Sequence, residues 1–77
     1  MKIKMRYDLL FKSGVKESVT QTATEPEHIE IIQIIQDSFK DDVNAFISFG
    51  DGKGIGRYIR VIDLSQVVTE ILEREIE

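Results

Sequence analysis

The chain has 77 residues, no cysteine and one histidine, so its sequence excludes disulfides and any zinc site built from cysteine and histidine. Its formal net charge of −4 and pI of about 4.9 disfavour nonspecific binding to nucleic acid. A chain of this size forms one domain, residues 1–77, with a small core, and small domains often gain stability from a partner chain.

The first predicted strand covers residues 2–12, where apolar side chains alternate with mostly charged ones. This period-two pattern is typical of a strand with one buried face. The apolar set is Ile3, Met5, Tyr7, Leu9 and Phe11. The outward set includes Lys2, Lys4, Arg6 and Lys12, a basic stripe that indicates an interaction surface.

A second strand follows "KSG", and the hydrophobic pattern predicts its register. A two-residue loop at Ser13-Gly14 would place Phe11 opposite Lys16. A three-residue loop over residues 12–14 keeps apolar residues opposite apolar ones and places Gly14 in the left-handed region of a bulged turn. It predicts the pairs Phe11–Val15, Tyr7–Val19 and Ile3–Ala23.

The segment "TEPEH" predicts a helix start, with Thr24 as N-cap, Glu27 completing a capping box and Pro26 in the first turn. The helix is expected to end at Phe39 or Lys40. Its apolar stripe consists of Ile31, Ile32, Ile35 and Phe39, widened by Ile29 and Ile34. The wide stripe indicates either a helix that is deeply buried against a curved sheet or a helix that also covers a partner subunit.

His28 lies in the first turn of this helix among glutamates. A histidine in such surroundings is usually solvated, so we expect His28 on the surface and without a catalytic role.

Two further strands are predicted after the helix. "AFISF" has apolar residues on both faces, as a central strand would, and "RYIRVI" forms the next strand. The tail "DLSQVVTEILEREIE" fits helical spacing, but its consecutive β-branched residues favour a strand. We predict a turn at residues 63–66, a strand from Val67 to about Glu73, and a frayed acidic end, with a helix as the alternative.

The stretch "FGDGKGIGR", which joins the predicted strands "AFISF" and "RYIRVI", contains four glycines at every second position. Neither the G-x-G-x-x-G dinucleotide fingerprint nor the P-loop, which needs Ser or Thr after Gly-Lys, fits this spacing. A calcium loop also fails, because the next alternate position after Asp51 is Lys53, where an acid or amide is required. We therefore predict a hairpin connection, in which Lys53 and Arg57 could grip a partner.

The order of three short pieces, "YDLLFKSG", "AFISFG" and "IDLSQV", resembles that of small uncharacterised proteins of Gram-positive bacteria and their prophages. The resemblance covers most of the chain. It implies the order strand, strand, helix, strand, strand, strand and carries no catalytic residue pattern.

The predicted fold is α+β, with order β-β-α-β-β-β and one helix on one face of a mostly antiparallel sheet of about five strands. The last element could instead be a helix. The predicted core is Ile3, Met5, Tyr7, Leu9, Phe11, Val19, Ile31, Ile32, Ile35, Phe39, Ile47, Ile59, Val61 and Ile71.

No pattern indicates catalytic residues, a metal, a cofactor or a small-molecule ligand, and no signal peptide or membrane segment is visible. We expect a non-enzymatic cytoplasmic module for protein binding or assembly, self-associating as a homodimer or pairing with an acidic protein surface. The predicted interaction surface is Lys2, Lys4, Arg6, Lys53, Arg57 and Arg60. The alternative is a nucleic-acid-binding accessory protein that uses the basic face of the first hairpin, although no exposed aromatic pair is expected as a stacking platform.

Overall fold

A computed structural model describes residues 1–50, 54 and 56–76. The elements, in chain order, are β1 (Lys2–Phe11), β2 (Lys16–Ala23), α1 (Glu25–Asp41), β3 (Phe46–Gly50), β4 (Gly56–Arg60), a 3-10 turn (Val61–Asp63) and β5 (Leu64–Ile76). This order confirms the predicted α+β fold, and the last element is a strand rather than a helix. The three central residues of the glycine stretch, 51–53, lie outside the described residues, as does residue 55.

Within the described ranges, five strands form two sheets instead of one. A three-stranded antiparallel sheet has the order β2-β1-β5, and β3 pairs with β4 as a separate two-stranded ribbon. The 3-10 turn redirects the chain between the two. The Val61 N–H donates to the Ala45 carbonyl beside the ribbon, at 2.9 Å, and the Lys12 N–H donates to the Asp63 carbonyl, at 2.8 Å. The ribbon is thereby held close to the sheet without joining it.

The first hairpin has the predicted three-residue loop. Tyr7 pairs with Val19 and Ile3 with Ala23, and the Phe11 N–H donates to the Val15 carbonyl at 2.8 Å. Gly14 has φ 94°, a backbone conformation that side chains other than glycine rarely adopt. The hydrophobic pattern and this glycine therefore specify the register together.

Helix α1 begins with the predicted capping box. The Thr24 hydroxyl accepts from the Glu27 N–H, and the Glu27 carboxylate accepts from the Thr24 N–H. Pro26 lies in the first turn, where its missing N–H has no helical partner to lose. These local signals fix the start of the helix independently of its packing.

The core lies between the inner face of the three-stranded sheet, which carries the odd-numbered residues of β1, and a second layer made of α1 and the ribbon. Tyr7 is fully buried and its ring packs against Phe49 of the ribbon, with ring centroids 5.1 Å apart. The buried cluster contains Ile3, Met5, Tyr7, Leu9, Val19, Ile35, Ile47, Phe49, Ile59, Val61 and Leu64. Most of the predicted core is confirmed, with Phe11, Ile31 and Ile32 partly buried at its margin.

Two predicted core residues are wrong. Phe39 is 47% exposed in the last turns of α1, and Ile71 is 42% exposed on β5. Ile71 does face inward, opposite Met5, but the second layer covers this part of β5 only thinly. Phe49 and Leu64 take their places in the core.

Strand β5 is longer than predicted, because it runs to Ile76, and Glu70 and Glu73 pair with β1 instead of belonging to a frayed end. The pairing is regular from Gln66 to Ile71 and shifts register on either side of that stretch. Such shifts are β-bulges, which twist an edge strand and bend it away from the sheet plane.

The conformation of Gly14 gives a stability prediction. Alanine at this position would meet no atom within 4 Å, so its cost comes from the strained φ alone. We expect Gly14→Ala to lower the free energy of unfolding by about 1–3 kcal/mol, measured by urea denaturation. Ser13→Ala in the same exposed loop is the control and should change it by less than about 0.5 kcal/mol. Equal effects would show that the loop does not need a left-handed residue.

Candidate functional site

The basic stripe of β1 lies on the outer face of the three-stranded sheet, beside acidic residues of β5. Arg6 forms ion pairs with Asp8 and Glu70, and Lys4 lies opposite Glu73. The Ser18 hydroxyl donates to Asp8 at 2.5 Å and, together with Arg6, lowers the pKa of that carboxyl. Two acidic residues predicted to form a frayed end therefore lie on this face, where Glu70 pairs with Arg6 and Glu73 lies opposite Lys4.

The remaining predicted surface residues lie elsewhere. Arg57 points towards the sheet, where its guanidinium donates to Glu17 of β2 at 2.5 Å. Arg60 lies on the other face of the ribbon from Arg57, where it is paired in register with Phe46. Lys53 lies outside the described residues. The structure thus brings Lys2, Lys4 and Arg6 together on one face and separates them from Arg57 and Arg60.

His28 is buried, so the expectation that it is solvated is wrong. Its Nε2 lies 2.7 Å from the Ile3 carbonyl oxygen, and its Nδ1 lies 2.7 Å from the Tyr7 hydroxyl. A carbonyl only accepts, so Nε2 carries a proton and donates to it, and in the neutral ring Nδ1 then accepts from the Tyr7 O–H. One neutral tautomer satisfies every polar atom of this buried group.

The spacing of the helix contained a signal for this burial. Position 28 begins a series with Ile31, Ile32 and Ile35 at the intervals of one helix face. The acidic neighbours of His28 are exposed, so their charge does not describe the surroundings of the histidine ring. Tyr7 and His28 expose almost no surface to a substrate, and we assign the pair to packing and orientation of α1 on β1.

The ribbon has an exposed aromatic pair, which the sequence did not lead us to expect. Phe46 is 60% exposed and Tyr58 is 75% exposed, and their rings meet edge to face with centroids 6.1 Å apart. The prediction of a central strand at "AFISF" is therefore wrong, because among the described strands β3 pairs with β4 alone.

Strand β5 has one edge against β1, and within the described residues its other edge pairs with no strand. The bond from Phe11 to Val15 shows that odd residues of β1 bond to β2, so its even residues bond to β5. The even partners on β5 are Gln66, Val68 and Glu70. The backbone groups of Val67, Thr69 and Ile71 consequently point to the open edge.

Other classes of site find no support in the described part of the chain. It contains no group of three or more histidine, cysteine, aspartate or glutamate side chains placed to hold a metal ion. None of its helices has the length and apolar character needed to cross a bilayer. No protein-family model, curated protein or solved structure matches the sequence or the fold. The resemblance to small Gram-positive and prophage proteins stays a prediction.

The Tyr7–His28 pair gives a test of its structural role. In His28→Ala, the Tyr7 hydroxyl loses its acceptor, the Ile3 carbonyl loses its donor, and a cavity remains in a buried site. We expect the free energy of unfolding to fall by about 3 kcal/mol or more in urea denaturation. Glu30→Ala, at an exposed position of the same helix, should change it by less than about 0.5 kcal/mol. A His28→Ala protein as stable as this control would contradict the assignment.

Burial also raises the pKa of Tyr7 to about 12. In the unfolded chain Tyr7 has its usual pKa near 10, so above about pH 10 the unfolded state loses this proton before the folded state does. The Tyr7 contribution to the free energy of unfolding is therefore intact below about pH 10 and falls as the pH rises towards 12. In Tyr58→Phe, Tyr7 is the only tyrosine, and tyrosinate absorbance reports on it alone. We expect a midpoint well above 10 in buffer and near 10 in concentrated urea; coincident titrations would contradict the burial.

Proposed function

We propose that the protein is a non-enzymatic cytoplasmic assembly module that forms a homodimer by pairing the open edge of β5 with β5 of a second copy. The observation that carries this proposal is the combination of an open strand edge with exposed apolar side chains, Val68, Ile71 and Leu72. An exposed apolar edge strand is a template for pairing with another chain. Small domains often gain stability from pairing of this kind.

The backbone groups that point to the open edge define the favoured register. A two-fold antiparallel pairing centred on Thr69 places Thr69 opposite its copy and Val67 opposite Ile71. All three are the residues whose N–H and C=O groups are available at that edge. In such a pair, opposing side chains share a face, so the half-exposed Ile71 would be covered by an apolar partner.

Charge disfavours the neighbouring register. A pairing centred on Glu70 would place Glu70 opposite its own copy, and like charges directly opposite one another destabilise a sheet. It would also align backbone groups that already bond to β1. Between its bulges β5 is regular over only a few residues, so only this short part of its open edge can pair with a second copy. A short paired edge favours a dimer over an open array of sheets.

The nucleic-acid alternative loses support from the position of β5. Arg6, at the centre of the basic stripe, is already paired with Asp8 and Glu70, so fewer free cations face a phosphate backbone. Association with another protein surface therefore remains the better interpretation.

The edge geometry makes a proline test possible. Thr69→Pro removes an N–H that points to the open edge, a position where strands tolerate proline, so the fold should persist while the dimer weakens about tenfold or more. Val68→Pro removes an N–H that bonds to β1 and should instead disrupt the sheet. Analytical ultracentrifugation at ~100 µM measures the mass, and circular dichroism measures the fold.

A cysteine variant checks the register. Because the chain has no cysteine, Thr69→Cys should form a disulfide between two copies under mild oxidation, whereas Gln36→Cys, at an exposed position on the helix, should not. A wild-type protein that sediments as a monomer, or a Thr69→Pro protein that remains a dimer, would refute the proposal.

A further inference from the structure

We infer that the groove between α1 and the open edge of β3 binds an extended peptide that carries lysine or arginine, with the peptide adding to β3 as a third strand of the ribbon. This surface belongs to the other sheet from β5. The inference goes beyond the proposed dimer, and either can fail without the other.

The backbone of β3 is oriented for strand addition. The bond from the Val61 N–H to the Ala45 carbonyl begins the pairing of the ribbon, and bonded positions then alternate along it. Ile47 and Phe49 therefore bond to β4, whereas the N–H and C=O groups of Phe46 and Ser48 point to the other edge. No strand in the described ranges pairs with that edge.

The groove beside this edge has the size and lining of a peptide site. Its volume is about 560 Å³, and it is bounded by α1 on one side and by residues 44–48 on the other. Its apolar walls are formed by Ile31 and Ile34 of the helix and by Phe46. Pockets of this volume, mostly apolar with a few polar groups, are typical of ligand sites.

The charge of the groove selects the kind of peptide. Glu27 and Glu30 line the helix side. The Thr24 hydroxyl and N–H lower the pKa of Glu27, so its carboxylate is ionised at neutral pH. Glu27 and Glu30 line the same groove as Phe46, so a lysine ammonium or an arginine guanidinium bound there gains ion pairing from the carboxylates, and the exposed ring of Phe46 offers it an aromatic face.

The same carboxylates disfavour the competing ligand, a single-stranded nucleic acid. Phe46 and Tyr58, with Arg60 on the same face, could stack on bases of a single strand. Phosphates, however, would meet Glu27 and Glu30 along β3 on a protein of net charge −4. A basic peptide meets attraction in the place where a nucleic acid meets repulsion.

The test uses a phage-displayed library of random linear peptides selected on the intact protein. We expect the selected peptides to share a lysine or arginine flanked by β-branched residues at alternate positions. In nuclear magnetic resonance titrations, the best peptide should shift the amide signals of Phe46 and Ser48. Methylation of alternate peptide nitrogens, which removes edge hydrogen bonds but keeps the charge, should abolish binding.

Matched charge variants complete the test. Glu30→Gln should raise the Kd of the selected peptide about tenfold, because a charge-assisted contact is lost. Asp37→Asn removes one charge from the same helix outside the groove and should change the Kd by less than about twofold. An absence of selected peptides, selected peptides without basic residues, or binding that leaves Phe46 and Ser48 unshifted would overturn the inference. Shifts at Phe46 and Tyr58 with oligothymidine but not with the peptides would also overturn it, in favour of base stacking.

Discussion

The arrangement of the whole molecule depends on how Tyr7 is buried. Its ring packs against Phe49 of the ribbon, and its hydroxyl donates to His28 of the helix, so one side chain of the central strand fixes both parts of the second layer. The His28 ring then reaches back to the Ile3 carbonyl on the same strand. In a domain with so small a core, a satisfied polar chain of this kind specifies position as well as contributing stability, because a shifted helix would leave buried polar atoms without partners.

The sequence predicted the features that arise from local signals. The hairpin register followed from the alternation of β1 and from Gly14, and the helix start followed from Thr24 and Glu27, since these interactions join residues close in the chain. The element order was also predicted correctly. The division into two sheets was not predicted. It depends on how the short 3-10 turn after Arg60 redirects the chain between β4 and β5, and on which strand pairs with β5.

The candidate surfaces were predicted less well for the same physical reason. Whether Arg6 is a free cation depends on Glu70, which lies 64 residues away along the chain. Whether Phe46 is buried depends on the number of strands in its sheet, and the burial of His28 depends on the placement of a tyrosine on another element. The segment "AFISF" was predicted correctly as a strand, but whether an apolar residue such as Phe46 is buried follows only from its neighbours in space.

The pairing of β1 with β5 has a consequence for the order of events during synthesis. The hairpin of β1 and β2 can form early, because its contacts are local, whereas the second edge of β1 must wait until the chain beyond Glu70 has left the ribosome. Until then, a strand with the apolar face of Ile3, Met5 and Leu9 has only one neighbour and an unprotected edge. The charged residues Lys2, Lys4 and Arg6 on its other face then act as gatekeepers, keeping nascent chains apart until β5 arrives with the matching acids.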